Sequence, residues 1–189
     1  QTDARGNITT TQTDIAGRKV LVTNAAGNGT GFMYGQPLDQ PTTVTGSLGN
    51  TVNYRYDDRG RKAAEWGTAV QPALFDYDSM DRLVSLTTFR VGSETVSSDP
   101  GGRTDGDTTI WTYHETSGLE ISKSYANGTH VDKTYNVLGL PERLCNARGM
   151  SEIREYDTLT GQLTRVSFSD GSTPSQTYTY NHLGQLTQV

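Results

Sequence analysis

The chain has 189 residues, a net charge of −5, only 32% hydrophobic residues, 21 glycines, 10 tyrosines and a single cysteine. That is too little apolar material for a conventional one-core globule, while the even spread of Tyr, Val, Leu and Thr argues against disorder. The acidic balance disfavours nucleic acid as a partner, no run of about 18 apolar residues offers a membrane span, and lone Cys145 with no Cys/His cluster leaves neither an internal disulfide nor a zinc site.

One pattern recurs along the chain: Tyr, then Asp or Asn, two or three residues, Gly, and a polar residue. Its first copy, Thr13-Asp14-Ile15-Ala16-Gly17-Arg18, has Thr in place of Tyr, and Tyr34 begins a degenerate copy that ends in Asp39-Gln40. The pattern is sharp at Tyr56-Asp57-Asp58-Arg59-Gly60-Arg61. It returns at Tyr77-Asp78-Ser79-Met80-Asp81-Arg82, where Asp replaces Gly. Two later copies carry one extra turn residue: Tyr113 to Gly118, and Tyr156-Asp157 to Gly161. Tyr135-Asn136-Val137-Leu138-Gly139 and Tyr180-Asn181-His182-Leu183-Gly184 complete the set of eight.

The spacing makes this a repeat array. Thr13, Tyr34, Tyr56 and Tyr77 stand 21, 22 and 21 residues apart, and Tyr113, Tyr135, Tyr156 and Tyr180 stand 22, 21 and 24 apart. The one misfit, 36 residues from Tyr77 to Tyr113, falls on a turn-rich polar insertion at about 91–107. As an inserted loop, it is expected to be dispensable to the sheet. The array is expected to form one domain over 1–189.

Each repeat reads as a β-hairpin. An aromatic residue usually stands two before the motif Tyr, as in Phe32, Tyr54, Phe75, Trp111 and Tyr178, and residues two apart on a strand share a face. Five residues after the Gly position stands an aliphatic residue, as in Val22, Val44, Leu86, Leu144, Val166 and Val189; Glu65 and Lys123 break this rule, and Glu65 suggests a shifted register beside Trp66. In the Tyr-Asp-x-x-Gly turn, Asp or Asn binds backbone N–H groups two residues on, and Gly supplies a positive φ. Asp81 should tolerate that conformation better than most residues. At the other end of the hairpins, Asn127-Gly128 and Asp170-Gly171 read as two-residue turns, with Asn28-Gly29 and Gly49-Asn50 in similar places. Asn28-Gly29-Thr30 and Asn127-Gly128-Thr129 are also glycosylation sequons, although the turn explains the same residues.

The expected fold is therefore all-β: tandem hairpins of about 21 residues in a single-layer sheet. Eight hairpins give roughly 16 strands, and a sheet that wide should curve into a spiral or partial barrel.

No catalytic constellation emerges. His114 and His182 occupy turn positions, His130 follows a turn, and Cys145 lies in an outgoing strand without a distinctive His context. Asp57 and Asp58 are strand-end neighbours pointing apart, and Asp105-Gly106-Asp107 lacks the other ligands of a calcium loop. We therefore expect no catalytic residue, no metal and no cofactor. A binding reading rests on Trp66 and Trp111, whose flat apolar faces suit sugar rings. The competing reading packs the aromatic stripe across neighbouring strands.

Tyr-Asp-x-x-Gly-Arg at this period resembles the YD repeat of the Rhs family, which includes polymorphic toxins, the C component of Tc toxin complexes and teneurins. The resemblance runs from Thr2-Asp3-Ala4-Arg5-Gly6 to Tyr180-Asn181-His182-Leu183-Gly184. It implies a β-strip that spirals into a hollow shell, in the toxins around a C-terminal effector, in a secreted or surface protein of bacterial type. No stretch here matches the family's conserved core segment, which closes the shell and in some members cleaves the chain. The sequence starts and stops within the motif, so the expectation is a non-catalytic wall segment. Its partners would be flanking repeats or further copies, and an enclosed effector. The alternative is a carbohydrate-binding, adhesive or self-assembling module.

Overall fold

The computed structural model describes residues 1–4, 6–35, 39–90 and 98–189. Contacts divide the chain into two units, Gln1–Thr108 and Thr109–Val189. The first holds β1 (Thr10–Thr13), β2 (Lys19–Thr23), β3 (Gly29–Tyr34), β4 (Pro41–Thr45), β5 (Thr51–Tyr56), β6 (Lys62–Trp66), β7 (Ala73–Tyr77) and β8 (Leu83–Thr88). β9 (Asp107–Tyr113) starts there and continues into the second unit. The second unit adds β10 (Glu120–Ser124), β11 (His130–Tyr135), β12 (Pro141–Cys145), β13 (Ser151–Tyr156), β14 (Leu163–Phe168) and β15 (Gln176–Thr177), with β16 (Thr179–Tyr180) and β17 (Leu186–Gln188) as a separate pair. Within each unit every strand pairs antiparallel with its neighbour in sequence, and the sheet stays open. β15 and β16 are one incoming strand interrupted at Tyr178, whose N–H still donates to the Thr164 carbonyl at 2.9 Å.

The register explains the apolar stripe. The aromatic two before Tyr stands directly across from the aliphatic five after Gly: Phe32 faces Val44, and Phe75 faces Leu86. Lys133 faces Leu144 and Arg154 faces Val166, so a long charged side chain lies along an aliphatic one where the aromatic is missing. Tyr54 faces Glu65 in the same register. The shift anticipated beside Trp66 is therefore absent: Glu65 simply replaces the aliphatic residue.

Each hairpin carries a bulge at its Tyr end. The register slips between Arg55 and Tyr56, between Asp76 and Tyr77, and between Thr134 and Tyr135, so one residue of the outgoing strand bulges out. A bulge bends the strand and raises its local twist. Where Thr occupies the bulge, its hydroxyl donates to the carbonyl before the Tyr: Thr42 to Met33 at 3.3 Å, and Thr164 to Glu155 at 3.1 Å.

At most far ends the hairpins reuse the turn of the Tyr end; β6–β7 and β14–β15 are instead joined by longer connections, so the two-residue turn expected at Asp170-Gly171 is replaced by a connection from Phe168 to Gln176. Tyr125 N–H donates to Thr129 and Gly128 N–H to Tyr125, both at 2.9 Å, with Gly128 at φ 81° and no positive φ at Asn127. That is a three-residue loop closed by a left-handed glycine, not the two-residue turn expected of Asn-Gly, which needs positive φ at both central residues. At Asn28-Gly29 the left-handed residue is Gly27, within a turn from Asn24 to Asn28. The Tyr-Asp turns have the same form: Asp57 N–H bonds Arg61 O, and Gly60 N–H bonds Asp57 O, both at 2.9 Å.

Among the described residues the buried hydrophobic side chains are Ala64, Ala73, Phe89 and Val166. A single layer leaves little else to cover, which matches the low apolar content. Three of the four lie where the described part of the insertion folds back on the first unit. Pro100, in the 3-10 turn Pro100–Gly102, is fully buried, and Asp99 caps that turn by accepting from Gly101 N–H at 2.8 Å. Arg103 lies over the Phe89 ring at 4.6 Å. A Cβ at Gly106 would collide with Thr87 and Phe89. The insertion is therefore not a free loop: residues 98–106 form a lid on β6–β8, although residues 91–97 of it lie outside the described residues.

Candidate functional site

The repeating site is the Tyr-Asp turn. Asp57 Oδ1 accepts the N–H groups of Arg59 and Arg61, each at 2.9 Å, while Oδ2 takes Arg61 Nε at 2.7 Å. Asp14 and Asp78 repeat this with Arg18 and Arg82. Asn136 and Asn181 keep the two backbone bonds without the ion pair. In the longer turn, Asp157 takes the N–H groups of Leu159 and Thr160. Gly60, Gly118, Gly139, Gly161 and Gly184 all have positive φ, between 70° and 78°. Asp81 stands in for glycine at φ 63°.

The tyrosines lock each repeat to the one before. Tyr34, Tyr56, Tyr77, Tyr135 and Tyr156 donate their hydroxyls to the carbonyls of Lys19, Pro41, Lys62, Glu120 and Pro141, each 15 residues upstream, at 2.7–3.0 Å. Tyr180 reaches Leu163 at 2.9 Å. Tyr113 ends β9 half-buried, paired with Glu120. The motif Arg completes the joint: Arg18 lies over the Tyr34 ring at 4.5 Å and Arg61 over Tyr77 at 4.7 Å, each on the Tyr of the following repeat. Arg59 and Arg61 also grip Asp81 of the next turn at 2.9 and 2.6 Å. Sequence reasoning gave the tyrosines only packing; their near-constant spacing from the first residue of the preceding outgoing strand was the available clue.

Hydrogen bonding sets the charge state of these turns. At Asp57 and Asp78 desolvation pushes the carboxyl upward. The amide and guanidinium of Arg61 or Arg82 outweigh it and hold the group below the ordinary aspartate value. Asp14 is lowered chiefly by the Arg18 amide. Asp170, bonded by the hydroxyl and amide of Thr173 and then by Ser172, is held at about 2. Glu120 accepting from Lys133 at 2.9 Å raises that ammonium.

The other candidate chemistry is dispersed. His114 Nδ1 accepts Ser117 N–H at 3.2 Å inside its own turn. His130 meets Asp132 at 3.2 Å, and Cys145 is half-buried. Asp105 pairs with Arg103, and Asp107 with Arg90. Among the described residues no three His, Cys, Asp or Glu side chains are placed to hold a metal ion. Trp111 faces Lys123 across the strands, and the ammonium lies 5.0 Å from its ring centre. Trp66 differs: it borders an open cleft of about 330 Å³ with Arg55, Asp99, Tyr54, Tyr56 and Thr42.

An open, single-layer array of locked hairpins is the class of protein these features define. No protein-family model matches the chain, and no curated protein does. Among solved structures, the crystal structure of TcdB2-TccC3-Cdc42 matches at a TM-score of 0.56 and 14% identity, over 94% of this chain and 11% of that one. TcdB2-TccC3 without its hypervariable C-terminal region gives 0.49 at 14% identity, again over 94% and 11%. A Tc holotoxin pore of Photorhabdus luminescens gives 0.34 at 11% identity, over 94% and 12%. The fold is shared with a stretch of TcdB2-TccC3, and the chain spans about a tenth of the solved chains it resembles.

Proposed function

We propose that this chain is a non-catalytic wall segment of a YD-repeat shell, which in a secreted or surface-exposed bacterial protein encloses a C-terminal effector. The observation that carries this reading is the joint itself. The same Tyr-to-carbonyl bond recurs from repeat to repeat, so the array extends by addition of identical units, as a repeat wall requires. The fold shared with TcdB2-TccC3 supports it. Its partners are the flanking repeats or further copies, and the enclosed polypeptide. The motif residues serve structure, and catalysis belongs to whatever is enclosed.

The test uses the native polypeptide that carries this segment. Its intact mass and its peptides beyond Val189 are measured, then limited proteolysis is run on the folded and the denatured material. A parent several times larger, with a distinct C-terminal region resistant to protease until the repeats unfold, is the expected result. A native chain in which no region gains protection from the repeats overturns the shell reading.

A further inference from the structure

The wall does not require Trp66. In the other repeats the residue at this point of the outgoing strand is Thr23, Thr45, Thr87, Ser124, Cys145 or Ser167, all small, so a Trp here exceeds what the fold needs. It stands across from Asn53, whose Nδ2 donates to the Trp66 carbonyl at 3.4 Å, and shares its face with Arg55. The following Gly67 has φ 144°, and a Cβ there would collide with the Thr51 carbonyl, so the backbone that presents Trp66 is fixed. The same cleft holds a second departure from the repeat. The insertion brings Asp99 to Arg55, Nε to Oδ2 at 2.7 Å, with both side chains partly exposed.

We propose that the cleft between Trp66 and the Arg55–Asp99 pair is a subsite for a neutral sugar ring, an activity beyond that of a shell wall. The half-buried indole offers a flat apolar face to the ring's C–H groups. Asp99 and Arg55 supply an acceptor and donors side by side for neighbouring hydroxyls, with Thr42 at the edge. Few polar groups around an aromatic wall is the usual make-up of a ligand pocket, and about 330 Å³ is near the lower end of the usual size range. The two charges neutralise each other, so the pair offers no net positive charge to hold an acidic sugar. Trp111 offers no equivalent, because Lys123 lies over its ring.

The probes are maltose, cellobiose, lactose and chitobiose, with sialyllactose as the anionic comparison, titrated against the full chain by indole fluorescence and by calorimetry. At least one neutral disaccharide is expected to bind with a Kd in the range of about 1–10 mM. Trp66→Thr, which installs the residue found at Thr23, Thr45 and Thr87, should weaken binding at least about tenfold, while Trp111→Phe leaves it unchanged. Asp99→Asn and Arg55→Gln report on the polar side of the cleft if Trp66→Thr fails to fold. The proposal is overturned if no neutral disaccharide binds, if sialyllactose binds more tightly than all of them, or if the folded Trp66 or Asp99 variants bind as the parent does. None of these outcomes depends on whether the repeats enclose an effector.

Discussion

The hydroxyl of Tyr56 donates to the carbonyl of Pro41 at 2.9 Å, across 15 residues of chain. Pro41 opens β4 and Tyr56 closes β5, so the bond clamps the Tyr end of one hairpin to the strand of the hairpin before it. Tyr156 makes the same bond to Pro141 at 2.7 Å. Replacing either with Phe keeps the ring and removes only the bond. Tyr56→Phe and Tyr156→Phe should each cost about 0.5–1.5 kcal/mol, read as a lower urea midpoint with an unchanged slope. Unchanged midpoints in both variants would show that these bonds do not hold the repeats together.

The turn glycines are a separate test. Gly139 has φ 76° with open space around it apart from Leu119, so strain rather than collision decides its substitution. Gly139→Val should destabilise by about 1–2 kcal/mol or more, since a β-branched residue resists the left-handed region. Gly139→Asn should cost clearly less. Equal melting temperatures for the two variants would contradict the assigned turn.

Much of this architecture is legible in the sequence, and what escapes does so for physical reasons. The period, the Asp and Asn clamps, the lengthened turns at His114 and Asp157 and the left-handed Asp81 all follow from residue types with one dominant local use. The Asn127-Gly128 turn misleads because a two-residue turn and a three-residue loop with a left-handed Gly carry the same letters and differ in the φ of one residue. The bulges leave no signature: Ala63, Val84, Glu142 and Thr164 occupy them and share no chemistry. Trp66 stands out by breaking the pattern, but Asp99, which lines the same cleft, lies 33 residues further on, inside a stretch that reads as a polar loop. Tertiary contacts of an insertion are not written in its local composition.

That insertion gives the third prediction. Residues 98–106 cover Phe89, which is fully buried and whose N–H donates to the Pro72 carbonyl at 3.1 Å. Replacing 98–106 with a Gly-Ser linker would expose Phe89 and Ala64 and break the Arg55–Asp99 pair. A fall of about 2–4 kcal/mol in stability is expected, comparable to truncating a buried aromatic. Phe89→Ala should reproduce most of it, and the two changes together should cost less than their sum because they remove the same contacts. A deletion that melts like the parent would show that the segment lies on the sheet without stabilising it.

The last prediction follows from the carboxylates. Asp14, Asp57, Asp78 and Asp157 are held below their ordinary value of 3.8, and Asp170 at about 2. The unfolded chain therefore binds more protons than the folded one between these values. The stabilisation is fully present above the unfolded value and is lost as pH falls through the folded one. Unfolding midpoints should stay level down to about pH 4 and then fall towards pH 2. Asn136 and Asn181 show that an amide performs the same backbone clamp without titrating. The triple variant Asp57→Asn, Asp78→Asn, Asp170→Asn should therefore fold with a flatter acid limb. At neutral pH it should lose what the Arg61 and Arg82 ion pairs contribute, together with the bonds that the Ser172 and Thr173 hydroxyls donate to Asp170. Denaturation in urea at pH 7, 4, 3 and 2 measures both, and an acid limb as steep as the parent's would place the acid sensitivity in other carboxylates.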